Sequence, residues 1–166
     1  MIRRELELHR LNTGRENRVY QVTQRLTQYL FKYQGHIGTG LIIGGVDAKG
    51  PHLAGVSPDG SSQYLPFMTT GSGSLAAMGI METQYKENLT KEEAIKVCVA
   101  SIEAGIYHDL GSGSNVDVIV IMKGKTEYLR NYKSDNKKVF SKPEGFKFAK
   151  GATQVLDEWR HKIVVS

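Results

Sequence analysis

The sequence lacks most of the features that would assign it a simple chemistry or a special environment. It has one cysteine, Cys98, so no disulfide can form within the chain, and we expect a reducing compartment such as cytoplasm or nucleus. No apolar run is long enough to cross a bilayer, and the start MIRRELELHR has no apolar segment of the kind found in signal peptides. The histidines lack metal-ligand spacing, and no P-loop motif occurs.

The charge is moderate and is not concentrated in any segment. A net charge of +5, with 40% hydrophobic and 23% charged residues over 166 positions, is typical of a single globular domain. The basic residues are spread out and are not interleaved with aromatic residues as in an RNA-binding motif. We therefore expect solvated faces and subunit contacts, with no nucleic-acid or membrane partner.

Hydrophobic periodicity predicts four helices and five strands. The helices are expected at about 1–11, 19–35, 75–85 and 90–106, and the strands at 40–46, 52–57, 63–69, 116–122 and 126–132. The order α, α, β, β, β, α, α, β, β has no βαβ alternation. It favours an α+β fold with antiparallel hairpins over a doubly wound sheet.

Individual residues mark several of these boundaries. Thr90-Lys-Glu-Glu93 forms a predicted capping box, and Gly14 follows the first helix where a left-handed residue is common. Pro66 indicates that the third strand is an edge or carries a bulge. Cys98 falls on the apolar stripe of the fourth helix, which predicts a buried small side chain. That stripe comprises Ile95, Cys98, Val99, Ile102 and Ile106.

The letters GSGS occur twice, at 71–74 and 111–114, each time at a junction between a helix and a strand. The first copy loosely fits the dinucleotide fingerprint, but Glu92 and Glu93 lie in a helix start where an acid should end a second parallel strand. In the second copy, Asp109 stands three residues before Ser112. These residues, like Ser72, could serve a site or could bond to local backbone amides in a turn.

Three motifs together carry a resemblance to a known family. The segments GSGSLAAM, AGIYHDLGSGSNVDV and GGVDAKGPHL closely resemble the beta subunits of the eukaryotic proteasome core particle. The last is most similar to the second beta type, which has trypsin-like specificity. The resemblance covers nearly the whole chain in order and is weaker from Ser134 onward.

The resemblance implies an Ntn-hydrolase fold, a four-layer αββα sandwich with antiparallel sheets whose N-terminal strands are missing here. Residues 1–133 would form this domain, and residues 134–166 an arm that contacts a neighbouring subunit. The family members are threonine endopeptidases of the ubiquitin-dependent pathway. The implied partners are proteasome alpha and beta subunits in stacked rings, and the implied substrate is unfolded polypeptide cleaved after basic residues.

The resemblance also implies roles for particular residues. Asp109, Ser112 and Ser72 match the supporting residues of the threonine protease site. No cofactor is required, although the backbone carbonyls of Ile106, Asp109 and Ser112 match a structural cation site that would suit Mg²⁺.

The departures from the family pattern are equally specific. The nucleophilic threonine, the early aspartate and the lysine are absent, so this chain alone is expected to be inactive; Thr39 opens an internal strand and is a poor replacement. A non-catalytic ring subunit is the alternative function, and a nucleotide-binding enzyme is a distant one. We also expect exposed apolar faces and unpaired edges at 40–46 and 116–122.

Overall fold

The computed structural model describes residues 2–134 and 141–164, which fall into two compact units, residues 1–136 and 137–166. In the second unit the described residues form turns and irregular structure, with Lys142 Nζ lying 5.8 Å from the ring centre of Phe146 and 5.2 Å from that of Phe148. In the described part of the chain, no helix combines the length and hydropathy needed to span a membrane.

The elements follow the predicted order. They are α1 (Ile2–Thr13), α2 (Val19–Lys32), β1 (Leu41–Asp47), β2 (Gly50–Val56), β3 (Ser62–Tyr64), α3 (Ser74–Gln84), α4 (Lys91–His108), β4 (Val116–Met122) and β5 (Lys125–Lys133). The strands form two antiparallel sheets, β1-β2-β3 and β4-β5, which confirms the α+β class. Strand β3 is shorter than predicted and ends at Tyr64, because Pro66 has no N–H to extend the ladder.

The packing order of these elements produces a layered structure. Helix α2 lies on β1 and β2, β1 contacts β4, and α4 lies on β4. Val99 and Ile106 of α4 form a core cluster with Val116 and Val118 of β4. The two sheets therefore lie between helices on either side, as the αββα arrangement requires.

The helix ends agree with the sequence signals. Thr90 N–H donates to Glu93 Oε2 at 2.8 Å, and Glu93 N–H donates to Thr90 Oγ1 at 3.3 Å, which confirms the capping box at the start of α4. Gly14 has a φ of +65° and donates its N–H to the carbonyl of Arg10 at 2.9 Å, so it ends α1 as predicted.

Apolar side chains are exposed on both sheets, as expected. Ile42 of β1 is 43% exposed, and Ile119 and Ile121 of β4 are 56% and 43% exposed. Large apolar residues on open strand edges favour association with other chains. The isolated chain is therefore expected to self-associate or aggregate.

Helix α2 and strand β1 approach closely at one glycine. A Cβ atom added to Gly45 would lie 2.7 Å from Cγ2 of Val19, which is buried at the start of α2. The neighbouring Gly44 is different, because an added Cβ would meet Leu53 and Ile121 at 3.8 and 3.9 Å, which is ordinary contact. The close packing of α2 on the sheet thus depends on a missing side chain at Gly45.

Gly45→Ala is expected to lower the free energy of unfolding by about 1–3 kcal/mol, the usual cost of overpacking a core. Urea denaturation of the full chain measures this, with Gly44→Ala as the matched control that changes stability little. Adding Val19→Ala to Gly45→Ala should recover part of the loss. Equal effects of the two glycine substitutions would contradict this explanation.

The carboxylate of Asp47 holds the start of α2 against the β1–β2 turn. It accepts hydrogen bonds from the N–H of Lys49 at 2.8 Å and of Val19 at 3.1 Å, and His52 Nε2 lies 3.1 Å away. The Lys49 bond contributes most to lowering the pKa of Asp47, and the Val19 and His52 contacts add to it against the opposing effect of burial. The ionised carboxylate is therefore part of the fold.

Asp47→Asn should lower the melting temperature at pH 7, because the amide cannot accept from both backbone donors. The pKa of Asp47 in the folded chain lies below the unfolded value of 3.8. The stabilisation by its carboxylate is therefore complete above pH 3.8 and is lost as the pH falls through the pKa of the folded chain. The difference between variant and parent should therefore narrow below about pH 4.

Asp59→Asn is the control, since the hydrogen bonds that the structure describes for Asp59 lie within its own turn, to Ser61. Those bonds also lower the pKa of Asp59, so a smaller loss than for Asp47→Asn is expected at pH 7. Thermal denaturation of the three chains from pH 7 to pH 3 makes the comparison. A difference that stayed constant over this range would show that the charge of Asp47 is not what joins these elements.

Candidate active site

The two GSGS loops lie side by side although they are about forty positions apart in the sequence. The first precedes α3, whose N-cap residue is Gly73, and the second follows α4, whose C-cap residue is Asp109. Because α3 and α4 pack against each other, the start of one helix lies beside the end of the other. This arrangement brings together the three side chains that the sequence singled out.

Asp109 is the centre of a hydrogen-bonded group that we call the Asp109 cluster, formed with Ser72 and Ser112. Asp109 Oδ2 accepts from Ser72 Oγ at 2.5 Å and from Ser112 Oγ at 2.7 Å. Asp109 Oδ1 accepts from the N–H of Gly111 at 3.1 Å. Hydrogen bonds to a carboxylate are stronger than those between neutral groups, so the cluster fixes both loops.

Glycine makes this proximity possible. A Cβ on Gly111 would lie 3.2 Å from Ser72 Oγ, and one on Gly73 would lie 3.1 Å from Ser112 Oγ. Gly71 has a φ of +102°, a conformation that side chains disfavour. The glycines therefore allow the loops to approach each other.

A cavity of about 550 Å³ opens beside the Asp109 cluster. Its lining includes hydroxyl, amide and apolar side chains from both loops, both helices and β1, and none of the lining residues is basic. Thr69 and Thr70 line it as well, and Thr69 Oγ1 donates to the carbonyl of Ser74 at 2.9 Å. Sequence reasoning missed these two threonines, although they directly precede the first GSGS copy.

Cys98 is placed differently from the prediction. Cys98 is exposed, and its neighbour on the helix face, Ile102, is 48% exposed. Both residues line this cavity and also a second cavity of about 410 Å³ between α4 and β4. The buried residues of α4 lie elsewhere on the helix and include Val97, Val99 and Ser101. The prediction of a buried cysteine was wrong because this face of α4 lines two open cavities. Partial desolvation still raises the pKa of the Cys98 thiol.

The alternatives based on other ligands gain no support. A dinucleotide fold needs parallel strands, whereas every described strand pair is antiparallel, and Glu93 is engaged in the cap of α4. Among the described residues, no group of three or more His, Cys, Asp and Glu side chains is arranged for a metal. Thr39 is absent from the residues that line the cavity beside the Asp109 cluster.

Comparison with known proteins gives consistent matches. The family model described as Proteasome subunit matches residues 1–121. The chain is 51% identical over 156 residues to Proteasome subunit beta type-7-A of Arabidopsis thaliana, covering 94% of this chain and 57% of the relative. It is 52% identical over 159 residues to Proteasome subunit beta type-2 of Saccharomyces cerevisiae, covering 95% and 60%.

A mammalian relative matches over a similar range. Proteasome subunit beta type-10 of Bos taurus is 46% identical over 153 residues, covering 92% of this chain and 56% of the relative. The chain thus spans somewhat more than half the length of these curated relatives. The family match, the antiparallel αββα layers and the adjacent GSGS loops agree, and the chain belongs to the proteasome subunit family.

Proposed function

We propose that this chain is a beta-type subunit of the proteasome core particle and that the Asp109 cluster is the supporting part of a threonine-type endopeptidase site. The observation that carries the proposal is the pair of hydrogen bonds from Ser72 and Ser112 to one carboxylate oxygen beside an open cavity. The family match and the beta-type names of the relatives support the same role.

The chemistry of the cavity separates positioning from bond cleavage. A hydroxyl nucleophile needs a base to take its proton, or a group that lowers its pKa. None of the residues lining this cavity is a lysine, arginine or histidine, and the two serine hydroxyls donate to Asp109. In this proposal the Asp109 cluster positions a threonine nucleophile and its lysine, two residues known from the family that this chain resembles. The chain by itself does not cleave peptides.

The proposed biological setting follows from the family. The substrate is unfolded polypeptide in the ubiquitin-dependent pathway, and cleavage after basic residues rests on the similarity of GGVDAKGPHL to the second beta type. The proposed partners are the other alpha and beta subunits of the stacked rings, in cytoplasm and nucleus. The arm at 134–166, with exposed Phe146, Phe148 and Trp159, is proposed to contact a neighbouring subunit.

Purified chain is expected to show no hydrolysis of fluorogenic peptides with Arg or Lys before the scissile bond, because the cavity offers no activated nucleophile. Core particles reconstituted with one of the full-length relatives described above should hydrolyse these peptides. The substitution corresponding to Asp109→Ala in that relative should reduce the rate at least tenfold, since both supporting hydroxyls lose their acceptor.

Asp117→Ala is the matched control. Asp117 accepts from the N–H of Asn131 at 2.8 Å on β5 and has no contact with the Asp109 cluster among the hydrogen bonds described. Hydrolysis by the purified chain that is abolished by Asp109→Ala would show that the chain carries its own nucleophile, and the proposal of an inactive chain would be wrong.

A non-catalytic ring subunit is the second candidate, and the absence of a basic side chain from the cavity lining favours it. The two candidates differ in one outcome. If particles that contain the chain hydrolyse peptides at the same rate with and without Asp109→Ala, the structural role is supported. If Asp109→Ala causes a loss of hydrolysis, the catalytic role is supported.

A structural cation at the end of α4 is proposed on the family resemblance. Ile106 lies in the last turn of the helix, where carbonyl groups lack intrahelical partners, and Asp109 O accepts from the N–H of Ser112 at 3.3 Å. Carbonyl oxygens of Ile106, Asp109 and Ser112 would suit a hard cation.

Millimolar MgCl₂ should therefore raise the melting temperature of the full chain by a few degrees through binding to the folded state. NaCl at matched ionic strength is the control, because it reproduces the screening without the divalent ion. An equal effect of the two salts would argue against the site.

A further inference from the structure

We propose that Thr69 is a positioning residue for the Asp109 cluster, because its hydroxyl closes the loop that carries Ser72. The importance of Thr69 for catalysis rests on the proposed function, whereas the closure of the loop can be tested in this chain alone. Thr69 does not itself belong to the cluster, so its effect on the cluster is indirect.

The segment between β3 and α3 is anchored to the first sheet on both sides of Thr69. A Cβ added to Gly55 of β2 would lie 3.1 Å from Met68 Cε. A Cβ added to Gly40, which directly precedes β1, would lie 3.4 Å from Thr70 Oγ1. The half-buried side chain of Thr69 stands between these two in the sequence but bonds to α3 instead of the sheet. Thr69 therefore joins a segment held by the sheet to the helix that follows it.

Two hydrogen bonds close the loop between Thr69 and α3. Thr69 Oγ1 donates to the carbonyl of Ser74, the first residue of α3, at 2.9 Å. The N–H of Ser74 donates to the carbonyl of Gly71 at 3.1 Å. The N-cap residue of α3 is Gly73, which has no side chain with which to hold the start of the helix. The Thr69 hydroxyl thus provides a side-chain anchor at a helix start whose own cap has none.

Ser72 depends on this loop for its position. Its side chain is exposed, so packing does not hold it in place. Its hydroxyl nevertheless reaches Asp109 Oδ2 at 2.5 Å, across 37 positions of sequence. Ser112, in contrast, is three positions from Asp109 and belongs to the same loop. Of the two serine hydrogen bonds, the one from Ser72 therefore requires the first loop to keep its shape, and Thr69 acts on the cluster through that bond.

Two substitutions at Thr69 separate its hydrogen bond from its packing. Valine has nearly the shape of threonine but cannot donate a hydrogen bond, whereas serine keeps the hydroxyl and loses a methyl group. If the hydroxyl closes the loop, Thr69→Val is disruptive and Thr69→Ser is tolerated. A residue that only filled space would show the opposite order.

Amide hydrogen exchange of the full chain measures the loop directly, at the Ser74 N–H that donates to Gly71. Thr69→Val should accelerate this exchange about fivefold, the usual net effect of losing one hydrogen bond. Thr69→Ser should stay within about twofold of the parent chain, because the bond is retained. Exchange in the core between α4 and β4, at Val99 and Val118, should not change, because the loss is confined to the loop.

Thr83→Val is the matched control. Thr83 belongs to α3, and its hydroxyl donates to the carbonyls of Gly79 and Ile80 in the same helix at 2.9 and 3.0 Å. The same chemical change there should leave the exchange of Ser74 unaltered. Equal acceleration by Thr69→Ser and Thr69→Val, or no acceleration by Thr69→Val, would overturn the proposal.

A further variant keeps the test decisive if Thr69→Val does not fold. Thr69→Ala also removes the hydroxyl, so it should accelerate the exchange of Ser74 at least as much as expected for valine. Exchange in Thr69→Ala that equals that in Thr69→Ser would show that the hydroxyl has no role in closing the loop.

The catalytic consequence is measured in core particles reconstituted with a full-length relative that carries residues 69–74 of this chain at the matching positions. Thr69→Val should lower kcat about fivefold with little change in KM, because a misplaced supporting hydroxyl affects the transition state and not substrate binding. Thr69→Ser should leave kcat near that of the parent.

The two arms distinguish this inference from the proposed function. Accelerated exchange in Thr69→Val without any Asp109-dependent hydrolysis in the particles would refute the proposed function alone. Asp109-dependent hydrolysis together with unchanged exchange in Thr69→Val would refute the role of Thr69 alone.

Discussion

The approach of α3 to α4 is the constraint on which the candidate site depends. These helices follow each other in the chain, and their antiparallel packing places the start of α3 beside the end of α4. A Cβ on Gly73 would lie 3.2 Å from Gly105 Cα, so Gly73 allows the two main chains to approach, and Gly111 leaves room for the Ser72 hydroxyl. A single carboxylate can then accept from serines of both loops. The hydrogen bonds define the candidate site, and the glycines, which have no side chains, leave the space in which these bonds can form.

Charged side chains at the ends of helices and strands join the helix layers to the two sheets. Asp47 connects the N-terminus of α2 to the β1–β2 turn. On the other side, Glu127 of β5 lies 2.6 Å from Lys91 Nζ at the start of α4 and 2.7 Å from Lys125 Nζ. The hydrogen bond from Lys125, followed by that from Lys91, lowers the pKa of Glu127 to about 2. These contacts orient helices on sheets, while the apolar cluster between α4 and β4 forms a buried core between those two elements.

The arrangement also shows that the Asp109 cluster forms independently of the nucleophile proposed for the site. The Asp109 cluster is fixed by local turns and by one helix pair, all within residues 69–113. The cavity beside it is lined by hydroxyl, amide and apolar groups, and both α4 and β4 present exposed apolar side chains. Positioning and bond cleavage are thus separable properties of the proposed site, and the described residues account for the first.

Periodicity and local turn chemistry were enough to predict the order of helices and strands, the capping box at Thr90 and the helix end at Gly14, because these depend on neighbouring residues. Strand β3 was overestimated, and Cys98 was wrongly predicted to be buried, since burial depends on which face of α4 meets another layer. The motifs pointed to Ser72, Asp109 and Ser112, but spacing alone left local turn bonds as an alternative. The sequence by itself determined the elements and the identity of these residues. Only the tertiary structure decided that Ser72 donates to Asp109 across the two loops, because that bond depends on the packing of α3 against α4, which no local pattern encodes.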